Sequence, residues 1–294
     1  MEHFIKILSK PDNIPIAGMV LLVFFYTGWA FVMAIRNDLR IKAGKGPLEL
    51  EESGLKVDVM PHLLKREFIA ALVVTIILVI WSVAVNAPLE EIANPAVTPN
   101  PSKAPWYFLG LQEMLVYFDP WLAGVVFPTL IILGLMAIPY LDKNAKGNGY
   151  YTLQERPFAI FGFLFGFLIL WVAMIFTGTF MRGPGWNFFS PFEPWDVHKV
   201  VPLTNVDLSE LLDIDPKTPW YVREVPGFLF LLLWFTFIPY VVALVKRAFF
   251  AQLGIVRYWV TMFLFLFMLL LPVKMILRWT LNLKYLIVTP WFNI

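Results

Sequence analysis

Six long apolar segments limit the folds that this chain can adopt. A helix needs roughly 20 apolar residues to cross a hydrocarbon core about 30 Å thick. The sixth segment contains Lys274 and Arg278 in its last third, where long side chains can reach the headgroups. The segments cover residues 14–35, 68–85, 121–141, 157–181, 225–245 and about 258–283. With 59% hydrophobic and 15% charged residues, the sequence predicts an all-α integral membrane protein with about six transmembrane helices.

Lys and Arg near the segment ends predict the orientation of the chain. The links after the first, third and fifth segments are rich in these residues, whereas residues 86–120 combine one basic residue, Lys103, with acidic residues such as Glu90 and Glu91. Because basic loops stay on the cytoplasmic side, we expect both termini on the opposite, periplasmic side of the cell inner (cytoplasmic) membrane. The net charge of +2 gives little support to nucleic-acid binding.

The residue types present exclude several kinds of redox site. The sequence has no Cys, which removes disulfides, iron–sulfur clusters and thiolate metal sites from these residues. His3, His62 and His198 all lie outside the six apolar segments, so they do not provide the pairs of intramembrane ligands that bis-histidine haems need. No HExxH, P-loop or GxGxxG motif occurs. We therefore expect no metal ligands in this chain, and redox chemistry that depends on a partner's cofactor or a diffusing substrate.

A charged cluster, PHLLKRE at residues 61–67, precedes the second apolar segment. A quinone carbonyl at this membrane edge would need a proton donor and a nearby acid, and His62, Arg66 and Glu67 could supply them. The alternative is ordinary cytoplasmic anchoring, with Glu67 favoured near the helix start by the helix dipole. The residues alone leave both interpretations open.

A second cluster, KAPWYF at residues 103–108, lies between the second and third segments. Pro105 suits the first turn of a helix, and the apolar residues 106–118 are too few to span, which predicts a short helix in the interface or packed under other helices. Glu113 follows Trp106 by seven residues, or nearly two turns, so a uniform helix places both on one face. Glu113 could accept a proton there, or could reach headgroup water or pair with Lys103.

At these clusters the sequence resembles the C-terminal half of cytochrome b in cytochrome bc complexes, which the chloroplast-type complex carries as the separate subunit IV. The resemblance covers about residues 57–181 and is clearest over residues 88–144. At the start of the fifth cytochrome b helix the family often has a proline followed by Lys-Asp, and Pro61, Arg66 and Glu67 occupy those places. The downstream match begins at Pro88. Its shared features are the Pro-rich loop with the pairs Asn94-Pro95 and Thr98-Pro99, the triplet Trp106-Tyr107-Phe108, and, in the next helix, Leu122, Gly124, Gly134, Leu135, Pro139 and Leu141.

One departure from the family concerns its PEWY signature at the quinol-oxidising site. Alignment of the aromatic triplet puts Pro105 where the family has its proton-accepting Glu, and Ala104 where it has Pro. We hypothesise that Glu113 takes the place of that Glu, and that the quinol-oxidising pocket is walled by Pro105, Trp106, Tyr107 and Phe108. The competing hypothesis is that the site no longer oxidises quinol and that the aromatic residues only pack.

The resemblance implies a membrane subunit of a quinol:cytochrome c (or other acceptor) oxidoreductase that is not catalytic alone. It would form part of the quinol-oxidising pocket on the positive side and of the quinone-reducing pocket, with His62, Arg66 and Glu67, on the cytoplasmic side. The implied cofactors are menaquinone or ubiquinone, together with haem b, with or without haem c, in partner subunits. The implied partners are a four-helix haem-b cytochrome, a Rieske-type iron–sulfur protein and a c-type cytochrome, in a complex expected to be dimeric. The alternative is a non-catalytic scaffold subunit of a larger respiratory complex.

The resemblance implies that the chain has three regions. Residues 1–56 would be an added N-terminal transmembrane helix with a cytoplasmic connector, and residues 57–181 the three-helix cytochrome b region. Residues 182–294 would contain a periplasmic Trp-rich loop and two further transmembrane helices. Aromatic residues in that loop, among them Trp186, Phe188, Phe189 and Phe192, would dock a partner subunit or form an aromatic belt at the membrane interface.

Overall fold

A computed structural model describes residues 1–294 except 53–57, 88, 90–91, 148 and 202–203. The predicted boundary between residues 56 and 57, together with Pro88, Glu90 and Glu91, therefore lies outside the described residues. Within the described part of the chain, six helices are long and apolar enough to cross a membrane. The prediction of an all-α membrane architecture with about six spanning helices is confirmed.

The chain divides into two compact units. The first contains Met1–Asn100, Lys146–Ile160 and Phe189–Trp195, and the second contains Pro101–Ala145, Phe161–Phe188 and Asp196–Ile294. The helices of the first unit are α1 Glu2–Leu8, α2 Asn13–Lys42, α3 Leu48–Glu52 and α4 Val59–Ala84. One further helix, α7 Pro157–Met181, contributes to both units.

The second unit is built mainly of helices. They are α5 Leu109–Met114, α6 Leu122–Leu141, α8 Leu208–Leu211, α9 Trp220–Arg223, α10 Val225–Val245, α11 Arg247–Leu253 and α12 Ile255–Leu281. Two short strands, β1 Val206–Asp207 and β2 Leu283–Tyr285, pair in parallel. A single 3₁₀ turn covers Trp106–Phe108, and Pro184–Trp186 forms a tight turn in which Gly185 has a positive φ.

The last turns of α2 hold the chain segments beside them in the first unit. Asn37 Nδ2 donates to Glu49 Oε2 at 2.7 Å and to the Tyr151 carbonyl at 3.1 Å. Asp38 Oδ2 accepts the backbone N–H groups of Leu153 and Gln154 at 3.1 and 3.2 Å. Both side chains are buried, and hydrogen bonds satisfy them at the helix end.

The helix α4 begins nine residues before the predicted start of the second span, at Val59 instead of Phe68. The first residues of this range are not a regular helix, because Met60 has the extended φ and ψ of −98° and 128°. Pro61 directly follows this kink, where it is tolerated because the first helical N–H groups have no intrahelical acceptor. The charged residues that marked a loop in the sequence therefore lie on the helix itself. His62, Arg66 and Glu67 are exposed within these turns.

Prolines inside two spanning helices follow π-helical segments. These segments are Leu122–Val126 in α6, before Pro128, and Leu233–Phe237 in α10, before Pro239. A proline ring clashes with the carbonyl four residues earlier in a regular helix. Gly124 and the equivalent Phe235 lie in the wider turns, which accommodate the ring.

Side-chain hydrogen bonds join α10 and α12 within their apolar lengths. The hydroxyl of Tyr258 on α12 is fully buried and donates to the Pro239 carbonyl at 2.6 Å. Trp234 Nε1 on α10 donates to the Leu266 carbonyl at 3.2 Å. These bonds satisfy polar groups that would otherwise meet hydrocarbon.

The segment after α12 folds back into the core of the second unit. Ile294 N–H donates to the Ile287 carbonyl at 3.0 Å, and Leu286 and Ile287 are buried with side chains from α5, α6, α7 and α12. The start of α10 approaches this segment so closely that a Cβ on Gly227 would overlap the Leu286 carbonyl oxygen. A side chain at position 227 therefore forces the two backbones apart.

We expect Gly227→Ala to lower the free energy of unfolding by about 1–3 kcal/mol, because the added methyl overpacks a backbone contact. The measurement is the thermal unfolding midpoint of the purified protein in detergent. The control is Gly124→Ala, since a Cβ there meets no atom within 4 Å and alanine favours the helix. Equal midpoints for the two variants would contradict this account.

Candidate functional site

Two hydrogen bonds to Gln112 hold the backbone at the start of the KAPWYF segment. Gln112 Oε1 accepts the Ala104 N–H at 2.8 Å, and Gln112 Nε2 donates to the Ser102 carbonyl at 2.9 Å. Lys103 Nζ donates to the Thr179 carbonyl, near the end of α7, at 2.7 Å. These three bonds hold the loop before Pro105 against α5, which carries Gln112, and against the end of α7.

The predicted short helix is present, but α5 covers Leu109–Met114 and not all of residues 106–118. Trp106–Phe108 forms a 3₁₀ turn, which has about three residues per turn, so the seven-residue spacing no longer equals two turns. Trp106 is 38% exposed and Glu113 is fully buried, unlike the shared face that a uniform helix predicts. Tyr107 and Phe108 are also exposed.

Glu113 forms a buried, two-pronged ion pair with Arg182. Arg182 Nε donates to Glu113 Oε2 at 2.9 Å, and Arg182 Nη2 donates to Glu113 Oε1 at 2.6 Å. The two side chains are 69 positions apart in sequence, on α5 and directly after α7. The fork of a guanidinium matches the two carboxylate oxygens and makes such pairs both strong and directional. Arg182 is the residue of this site that the sequence analysis missed.

Tyr117 completes the polar cluster around Glu113. Its hydroxyl donates to Glu113 Oε1 at 3.1 Å, and its side chain is almost fully buried. Burial raises the pKa of Tyr117 well above its ordinary value, and the neighbouring Glu113 carboxylate raises it further. The phenol therefore stays protonated and remains a donor at neutral pH.

Lysines from the C-terminal part of the chain hold the end of α5. Lys284 Nζ donates to the carbonyls of Leu115 and Val116 at 3.0 and 3.1 Å. Lys274 is fully buried, donates to the Lys284 carbonyl at 2.6 Å and lies 5.5 Å from the centre of the Phe118 ring. The expectation that Lys274 reaches the headgroups is therefore wrong, because its ammonium group binds inside the protein. Burial, followed by the charge of Arg278, lowers the pKa of Lys284.

The residues predicted for the quinone-reducing side lie on a different helix. His62, Arg66 and Glu67 lie on α4 in the first unit, and their role stays a prediction. His3 lies on α1 and His198 in a loop, while His62 is in the first turn of α4. Among the described residues, no group of three or more His, Cys, Asp or Glu could hold a metal ion. In the aromatic loop, Phe188 and Phe192 are exposed and Phe189 is buried, and partner docking there also stays a prediction.

Residues 92–182 match the family model described as Cytochrome b(C-terminal)/b6/petD. The resemblance to the C-terminal half of cytochrome b is confirmed. The matched residues include the aromatic triplet, Glu113, Tyr117 and Arg182, whereas Lys274 and Lys284 lie outside them. Both members of the buried ion pair therefore lie within the matched residues.

A curated relative from Geobacillus thermodenitrificans is described as "Menaquinol:cytochrome c reductase cytochrome c subunit". It is 29% identical over 152 residues, which make up 49% of this chain and 57% of the relative. The chain thus spans little more than half the length of that relative. No solved structure gives a significant match to the chain.

The buried phenol of Tyr117 predicts a pH-dependent contribution to stability. Above about pH 10 the unfolded chain releases this proton while the folded chain retains it, so stability is complete below that pH and falls as the pH rises. We expect this loss, about 1.4 kcal/mol per pH unit, to disappear in Tyr117→Phe. The measurement is the unfolding midpoint between pH 8 and pH 11. The control Tyr107→Phe, at an exposed position, should keep the wild-type slope.

Proposed function

We propose that this chain is a membrane subunit of a quinol:cytochrome c (or other acceptor) oxidoreductase of the cytochrome bc type, and that it forms part of the quinol-oxidising pocket. The observation that carries the proposal is a buried carboxylate, Glu113, on the helix that directly follows the Trp106–Phe108 turn, within the residues that match the cytochrome b family. Glu113 is the proposed proton acceptor. It replaces the family Glu whose place is taken by Pro105.

The exposed aromatic side chains support a role in binding quinol. Trp106, Tyr107 and Phe108 present apolar rings on one short turn, and Pro105 fixes the extended backbone before it. Pockets for small ligands combine apolar walls with a few placed polar groups, which is the composition found here. We propose that these rings flank the quinol ring, and that the neighbouring side chains part to bring its hydroxyl to the carboxylate.

The second proposed pocket lies at the start of α4. His62, Arg66 and Glu67 are exposed within two turns of one helix end and offer a proton donor, a cation and a carboxylate. We propose that they line the quinone-reducing side, on the cytoplasmic face of the inner membrane. Both termini then lie on the positive side. We also propose that the chain is divided into three regions, residues 1–56, 57–181 and 182–294.

The haems and the iron–sulfur cluster are assigned to partner subunits. The histidines of this chain provide no pair of spanning-helix ligands for haem b, and its residues contain no Cys for a C-x-x-C-H haem c attachment. Because the curated relative is described as a cytochrome c subunit, we propose that a separate c-type cytochrome serves the same complex. The further proposed partners are a four-helix haem-b cytochrome and a Rieske-type protein, in a dimeric complex. The name of that relative favours menaquinol over ubiquinol as the substrate.

A non-catalytic scaffold subunit is the second candidate function. The complete burial of Glu113 and its two hydrogen bonds to Arg182 favour it, because a purely structural ion pair has the same geometry. In that case the aromatic triplet packs against lipid or a partner. The two candidate functions predict different rates of quinol oxidation once the Glu113 charge is removed. The catalytic function predicts a slower rate, and the scaffold function predicts a normal one.

We expect Glu113→Gln to slow quinol oxidation by the purified native complex at least about 100-fold, because glutamine cannot accept the proton. The measurement is the rate of haem reduction after mixing with menadiol, with the haem content of the complex determined in parallel. The matched control is Glu224→Gln, since Glu224 is equally buried, pairs with Arg223 and lies outside the family match. A normal rate in Glu113→Gln would favour the scaffold.

A further inference from the structure

We propose that Arg182 is a positioning residue for quinol oxidation, which holds the Glu113 carboxylate so that Oε2 receives the proton. The inference rests on the proposed function. It assigns a role to Arg182 that neither the family signature nor the sequence analysis suggests. The contacts of the two carboxylate oxygens carry it.

The two oxygens of Glu113 differ in their remaining capacity to accept hydrogen bonds. Each oxygen of an ionised carboxylate can accept about two hydrogen bonds. Oε1 accepts from both Arg182 Nη2 and the Tyr117 hydroxyl, whereas Oε2 accepts from Arg182 Nε alone among the described residues. Oε2 therefore keeps a lone pair for one more donor. A quinol hydroxyl is a donor of the required kind.

The guanidinium of Arg182 is itself held in place. Its Nη1 donates to the Trp186 carbonyl at 3.1 Å, and its Cζ lies 5.8 Å from the centre of the Phe188 ring. The Trp186 carbonyl belongs to a tight turn in which Gly185 and Trp186 both have positive φ, at 66° and 57°. The turn is closed by the bond from Gly183 N–H to the Asn187 carbonyl at 3.0 Å. Arg182 is thus fixed on one side by this turn and on the other by Glu113.

The proposed step balances with the partners already named. One O–H bond of quinol breaks and a new O–H bond forms at Glu113 Oε2, while the proton of the second quinol hydroxyl leaves to water on the positive side. Of the two electrons that quinol gives up, one passes to the iron–sulfur partner and one to haem b. Arg182 neither accepts nor donates a proton in this step. Its Nη2 donates to Oε1 and its Nε donates to Oε2, so one lone pair of Oε2 stays available to the quinol hydroxyl.

The test uses the native complex with menadiol as the electron donor. We expect Arg182→Gln to lower kcat roughly 10- to 100-fold, because a displaced reacting group is a poor acceptor. Arg182→Lys keeps the charge but not the fork, and should restore part of the rate. In the Glu113→Gln background, Arg182→Gln should slow the reaction no further, since residues that act as a unit are not additive.

The control is Arg223→Gln, which breaks a second pair with a buried carboxylate, at 2.8 Å from Glu224, and should leave kcat unchanged. A normal rate in Glu113→Gln overturns the proposed function together with this inference. Two results overturn the inference alone. One is a lowered kcat in Glu113→Gln together with a normal kcat in Arg182→Gln, and the other is a double variant whose loss of kcat is the sum of the two single losses. If Arg182→Gln does not assemble with its haems, Arg182→Lys decides, and a wild-type kcat in that variant overturns the inference.

Discussion

The pairing of one carboxylate with one guanidinium, sealed from water, is the interaction on which the second unit depends. Glu113 and Arg182 are both charged, and neither would be stable among apolar side chains without the other. The pair joins α5, which is too short to be stable alone, to the end of a spanning helix. The aromatic turn before α5 is therefore positioned by a contact that lies beyond it in the sequence.

The C-terminal part of the chain supports the same helix from residues outside the cytochrome b match. Lys284 donates to the carbonyls of Leu115 and Val116, which directly follow α5, and Lys274 in turn donates to the Lys284 carbonyl. The last spanning helix thus does more than add length to the membrane region. Its Lys274 holds β2, and Lys284 on that strand donates to the residues that follow α5.

Hydropathy was sufficient to predict the spanning helices, because the bilayer requires long apolar stretches whatever the tertiary contacts. The short helix with Glu113 also followed from local composition. The partner of Glu113 did not, since Arg182 is 69 positions away and looks like any basic residue at a helix end. The sequence did not reveal the early start of α4, because charged residues are found both in loops and at the ends of helices. Lys274 was misplaced because a buried lysine and a headgroup-reaching one give the same sequence signal.

The hydrogen bond between the Tyr258 hydroxyl and the Pro239 carbonyl has a consequence for the way the protein is made. A hydroxyl without an acceptor is costly in hydrocarbon, and the acceptor here lies on the other helix of the pair. Neither α10 nor α12 is therefore complete as a solitary membrane span. During synthesis the two are expected to leave the insertion machinery as a pair, connected through α11 and the turn at Gly254.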